Sequence, residues 1–148
     1  RVNLISDYQK IPLLTKKENK IMLSKDSIKV IVTEQKFDKS KYKLTFHKEY
    51  KDQLQFINNK QYWGTDGRIQ KTEYKSIEIY YGTKKVVLPK NAIDNLFEIS
   101  LHNTQVNYDM INGILYIQSM NSDGAGSYEV IWKVEKGIYK ERYIAYGF

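Results

Sequence analysis

From about residue 20 onward, hydrophobic and polar residues alternate along the chain with a period of two. Ile28, Val30 and Val32 alternate with Lys29, Ile31 and Thr33; Tyr42, Leu44 and Phe46 alternate with Lys43, Thr45 and His47. Ile77, Ile79 and Tyr81 alternate with Ser76, Glu78 and Tyr80, and Leu115 and Ile117 share a face opposite Tyr116 and Gln118. Tyr128, Val130, Trp132 and Val134 alternate with Glu129, Ile131, Lys133 and Glu135. Successive side chains of a strand point to opposite faces, so this period predicts strands with one buried face and one wet face. β-branched and aromatic residues, which suit a pleated surface, fill these runs.

The punctuation agrees with strands. Asn112-Gly113 reads as a two-residue hairpin turn, and Gly82-Thr83, Lys136-Gly137 and Asn58-Asn59 read as further turns between paired runs. Two segments carry helical spacing. Leu4, Ile5, Tyr8 and Ile11 fit a short helix stopped at Pro12, so residues 1–20 are either such a helix or an extended arm. Pro89 precedes a second candidate over 91–97, capped by Asn91, with Ile93, Leu96 and Phe97 facing one way. The expectation is one domain over 1–148. It is all-β, mostly an antiparallel sandwich or barrel of about nine or ten strands with one or two short helices. An α+β fold is the alternative.

Composition narrows the function classes. The chain has 148 residues, 41% hydrophobic and 14% aromatic, which is enough for a packed core. Two His and no Cys exclude a zinc finger, an iron–sulfur protein and a thiol enzyme. No apolar run reaches the roughly 18 residues of a membrane-spanning helix. The net charge of +7 lies in one half: residues 1–74 hold 16 Lys+Arg against nine Asp+Glu, and residues 75–148 hold eight of each. The lysines are spread singly, with no cluster larger than Lys16-Lys17 or Lys84-Lys85, which argues against a nucleic acid and for an acidic protein partner. The chain begins at Arg1, read here as removal of a signal peptide from a periplasmic or secreted protein; a cytoplasmic location is the alternative.

Catalytic and metal motifs are weak. The run Asn121-Ser122-Asp123-Gly124-Ala125-Gly126-Ser127 leads into a strand, whereas phosphate-binding glycine loops lead into a helix. Asp66, Glu73 and Asp123 lack the close spacing of a calcium loop. The carboxylate pairs Glu73/Glu78 and Glu129/Glu135 do not mark a glycosidase. His47 and His102 have no nucleophile elbow to serve. No catalytic residue, metal or cofactor is expected.

Two segments do resemble a known set. Trp63-Gly64-Thr65-Asp66-Gly67 is followed by the Ile77–Tyr81 run, Leu88-Pro89 and Ala92/Leu96; then come Asp123-Gly124-Ala125-Gly126-Ser127-Tyr128, a further strand, a glycine turn and Arg142. Over residues 62–144 this resembles small uncharacterised bacterial proteins with a W-G-x-D-G segment and a C-terminal D-x-A-x-S-Y…R segment. The resemblance implies a bacterial source and brings no established activity. Candidate binding residues are Trp63, Asp66, Asp123, Ser127 and Arg142, the wet-face tyrosines Tyr80, Tyr116 and Tyr139, and the lysines Lys41, Lys43 and Lys48. The functional expectation is a non-enzymatic protein-binding domain, most concretely an immunity or inhibitor protein that blocks a toxin or hydrolase with an acidic surface. The alternatives are an extracytoplasmic ligand- or sugar-binding domain, or a small hydrolase using the 121–128 loop with a histidine.

Overall fold

The computed structural model describes residues 8–65 and 67–146. Among these residues twelve strands form two five-stranded antiparallel sheets and one hairpin. The first sheet contains β1 (Gln9–Ile11), β9 (Thr104–Asp109), β10 (Ile114–Asn121), β11 (Tyr128–Glu135) and β12 (Ile138–Tyr146), side by side in that order. The second contains β2 (Leu13–Lys17), β3 (Lys20–Lys25), β4 (Ile28–Lys36), β7 (Thr72–Tyr81) and β8 (Lys84–Val87). The hairpin is β5 (Leu44–Phe46) with β6 (Leu54–Ile57), and the one α-helical turn among the described residues is α1 (Lys90–Ile93).

The alternation read from the sequence is the alternation that packs. Val30, Val32, Ile77 and Ile79 from the second sheet meet Leu115, Ile117, Tyr128, Val130, Trp132 and Val134 from the first, and all are buried. Their partners at odd steps, such as Lys29, Glu78 and Tyr116, stay partly or wholly in water. The core is therefore the space between two sheets, and the fold is a sandwich.

Its two long sides are closed differently. On one side β1 and β2 are nearly continuous: Gln9–Ile11 pairs with β9, and after Pro12 the chain pairs with β3 of the other sheet. Proline has no N–H to give a ladder, so it suits the residue at which a strand changes sheets. The helix expected over 4–11 is thus replaced by strand at residues 9–11; residues 1–7 lie outside the described residues. On the other side α1 fills the gap between β8 and β12. The indole Nε1 of Trp132 donates to the Ala92 carbonyl at 2.7 Å, and Arg142 donates to the carbonyls of Ala92 and Asp94 at 3.1 and 2.9 Å.

Two other expectations change in the structure. The helix expected over 91–97 is one turn whose N-cap is Pro89, not Asn91. Asn95 takes a positive φ of 58°, and the chain leaves the helix so that Leu96 and Phe97 bridge to Trp63 and Glu73. The turn at Asn112-Gly113 is not a two-residue loop. Strand pairing stops at Asp109, whose carboxylate accepts from the backbone of Ile111 and Asn112 and from the Asn112 side chain, giving a four-residue connection. Lys136-Gly137 and Asn58-Asn59 do form tight turns, with positive φ at both residues of each pair.

The phenol of Tyr81 lies between the sheets with its oxygen buried and no hydrogen-bond partner. Burial pushes its pKa, and that of fully buried Tyr74, up to about 12 from an ordinary 10.0. The protonated phenol is the neutral form, so the folded state holds these protons longer than the unfolded state does. Stability is full below about pH 10 and falls as pH rises through about 12. Tyr81→Phe removes an unsatisfied buried hydroxyl and is expected to raise stability at neutral pH by about 1 kcal/mol. It should also flatten the alkaline loss, both measurable by urea denaturation across pH.

Candidate functional site

The segment between β4 and β7 is placed as a flap. Its β5–β6 hairpin buries Leu54 and Ile57 against Phe97, with Phe37, Tyr42, Leu44 and Tyr62 packed around them. Phe37 and Tyr62 meet the Phe97 ring edge-on at centroid distances of 5.2 and 6.4 Å. A backbone bond from Phe37 to Lys71 (2.9 Å) joins the flap's two ends at its base, and one from Leu54 to Gly67 (2.7 Å) ties the hairpin to the returning chain. The Asn95 side chain donates to the carbonyls of Ile57 and Gln61 from below, at 3.2 and 2.7 Å.

The flap lies over part of the outer face of the second sheet, and this gives Glu73 an unusual setting. The ladder pairs Thr33 with Ser76 and then Glu34 with Tyr74, so Lys75 is an extra, bulged residue on β7. Beyond the bulge Tyr74 still faces the core and Glu73 faces outward, opposite Gln35. Glu73 is nevertheless only 7% exposed. One carboxylate oxygen accepts from the Tyr42 hydroxyl and the other from Gln35 Nε2 at 3.1 Å. Burial, and then the bond to Glu73, hold the Tyr42 phenol well above its ordinary pKa. Beside this pair a cleft of about 460 Å³ opens between the flap, α1 and the edge of β8. Lys41, Lys75 and Lys90 stand at its rim, and Asp94 and Asn95 form one wall. Asp94 is already matched, by Arg142 at 3.5 Å and Lys60 at 3.6 Å.

The sequence-derived candidates are scattered over the molecule. Trp63 and Arg142 come together, the guanidinium 6.0 Å from the indole centroid. The two segments of the resemblance also meet: Ser122 Oγ donates to the Gly64 carbonyl at 2.6 Å. A Cβ on Gly126 would stand 2.7 Å from that same carbonyl oxygen, and one on Gly64 would stand 2.6 Å from the Phe97 carbonyl oxygen. Asp123 is exposed and lines a shallow groove with Arg68 and Lys71; Ser127 Oγ donates to the Gly124 carbonyl at 3.0 Å. Asp66 lies outside the described residues. The tyrosines do not share a face. Tyr80 is on the outside of the second sheet, between the ammonium groups of Lys29 (5.8 Å) and Lys85 (5.7 Å). Tyr116 is on the outside of the first sheet, stacked on Tyr8 at 5.7 Å. Tyr139 was expected on a wet face but packs against the core, because a register shift opposite Lys133/Val134 leaves Lys140 unpaired and turns both Tyr139 and Arg142 inward. Of the lysines, Lys41 is at the cleft, and Lys43 and Lys48 are exposed on the flap.

His47 Nδ1 accepts from the backbone of Glu49 and Tyr50 in the flap's turn, and His102 lines a separate cleft between β1, β2 and β3. No group of three or more metal-ligating side chains occurs among the described residues, and no helix there is long and apolar enough to cross a membrane. No family model, curated protein or solved structure matches this chain.

Tyr42, Lys75, Lys90, Asp94 and Asn95 are not among the sequence-derived candidates, and Glu73 enters there only as a calcium or glycosidase carboxylate. One signal was available: the apolar positions run Ile79, Ile77 and then Tyr74, a break in the period of two that marks the bulge. The close approach of Gly64 and Gly126 makes a stability test. Gly126→Ala drives a methyl into backbone and is expected to cost about 2 kcal/mol. Gly82→Ala has open space at φ +62° and is expected to cost about 1 kcal/mol, the strain of the left-handed conformation alone. Thermal denaturation of the two variants measures the difference.

Proposed function

We propose that this chain is a non-catalytic protein-binding domain that docks its second sheet and flap on an acidic partner, as an immunity or inhibitor protein would. One observation carries the reading: charge is segregated by layer. The strands of the second sheet hold nine Lys against three Glu, a net +6, and those of the first hold four basic against four acidic residues. Among the described residues only Lys85 of those nine lysines forms an ion pair, with Glu78 at 2.8 Å.

Uncompensated like charges repel one another and add nothing to folding, whereas they steer and orient an oppositely charged partner. The flap extends the same side with Lys39, Lys41, Lys43 and Lys48. Tyr80, held between two ammonium groups, offers rigid amphipathic contact area within this field.

The test uses the intact chain, tagged, with extract of its source cells. A stoichiometric partner is expected at low salt and is expected to release as ionic strength rises. The Lys29→Glu/Lys41→Glu/Lys43→Glu variant should abolish capture, and the Lys133→Glu/Lys140→Glu variant, on the neutral sheet, should leave it unchanged. Capture that ignores both salt and the first variant overturns the reading.

A further inference from the structure

The cleft beneath the flap carries chemistry that docking on an acidic protein does not require. Its floor is the Glu73 carboxylate, which can only accept hydrogen bonds. Each of its oxygens takes one bond, from Tyr42 or Gln35, and keeps a second acceptor direction. Asn95 commits its amide nitrogen to two flap carbonyls, and its amide oxygen has no donor among the described residues. The floor and one wall therefore call for a ligand that brings O–H or N–H groups.

The rim calls for the opposite. Lys41, Lys75 and Lys90 border the opening, and none of them forms an ion pair among the described residues. Asp94 offers them little, because Arg142 and Lys60 already neutralise it. Lys75 is there because it is the bulged residue of β7, and bulges re-aim side chains in this way beside binding sites. The volume of about 460 Å³ is within the range of small-molecule sites. Val87, Leu88 and Ile93 supply apolar wall against which a ring can lie.

We propose that this cleft binds a small, net-negative, hydroxyl-bearing organic anion, of the sugar-acid or sugar-phosphate class. The anionic group is held by the Lys75 and Lys90 ammonium groups, with Lys41 from the flap. Ring hydroxyls donate to Glu73 and Asn95. A neutral sugar leaves the three ammonium groups unmatched, and inorganic phosphate, with one or two O–H groups at neutral pH, leaves most of the floor acceptors unmatched.

The test is titration of the isotope-labelled chain, followed by backbone amide shifts, with glucuronate, glucose 6-phosphate, inorganic phosphate and glucose as separate probes. Both sugar anions are expected to give saturable shifts centred on Tyr42, Glu73 and Lys75. Inorganic phosphate should bind about tenfold more weakly, and glucose should not saturate by about 10 mM. Lys75→Gln/Lys90→Gln, two exposed positions, should weaken both sugar anions by about tenfold or more while amides elsewhere stay in place. Glu73→Gln should narrow the gap between glucose 6-phosphate and phosphate. The proposal is overturned if neither sugar anion saturates by about 10 mM, if phosphate alone matches glucose 6-phosphate, or if the double lysine variant binds as the parent does. No protein partner is present in this titration, so its failure is separate from failure of the docking reading.

Discussion

Asn121 holds the two sheets to each other. It sits fully buried at the end of β10, where its amide nitrogen donates to Tyr74 Oη of the opposite sheet at 2.8 Å and to Tyr128 Oη at 3.2 Å. Its oxygen accepts from Ser119 Oγ and from the Ser100 backbone at 3.0 and 2.8 Å. Tyr128 in turn donates to the Phe97 carbonyl at 2.7 Å. A buried polar group costs far more unpaired than it gains when paired, so this network tolerates one relative placement of the sheets and penalises neighbouring ones. Apolar packing alone would allow sliding; the amide of one residue does not.

The same network locates the flap. Phe97, whose carbonyl receives Tyr128, is also the residue against which Phe37, Tyr62, Leu54 and Ile57 pack. The inner polar bonds therefore fix the outer layer, and through it the environment of Glu73. A carboxylate on the outer face of a sheet would ordinarily be hydrated. Here a hydroxyl and an amide take the place of water, and neither brings a positive charge. Each carboxylate oxygen of Glu73 therefore keeps an acceptor direction open to the cleft beside it.

Much of the fold was legible in the sequence. The period of two set which side chains meet in the core, because a sandwich with one wet face per sheet leaves that signature in strands such as β3, β10 and β11. Lys136-Gly137 and Asn58-Asn59 announced tight turns because both residues of each pair must take positive φ. What was illegible depended on tertiary contacts. The apolar spacing of Ile93, Leu96 and Phe97 looks helical, but Asn95 is pulled out of the helix by two flap carbonyls far away in the chain. Tyr139 and Arg142 lie three apart in a strand and share a face only because of an unpaired residue between them. Glu73 and Tyr42 meet because the flap folds back over the sheet, which no local pattern encodes.

The crossing of the first strand between sheets also bears on how the chain comes to be folded. β2 finds its partner in the hairpin immediately after it, but β1 must await β9, and Gln9 can pair with Tyr108 only after most of the chain exists. The second sheet can assemble from the first 87 residues, with its inner face still uncovered. Loop-closure entropy then weighs on the last docking event, and the lysine-rich strands spend the longest time without their apolar cover. In that interval like-charge repulsion keeps nascent copies apart, so the excess of lysine would protect synthesis before it serves any encounter.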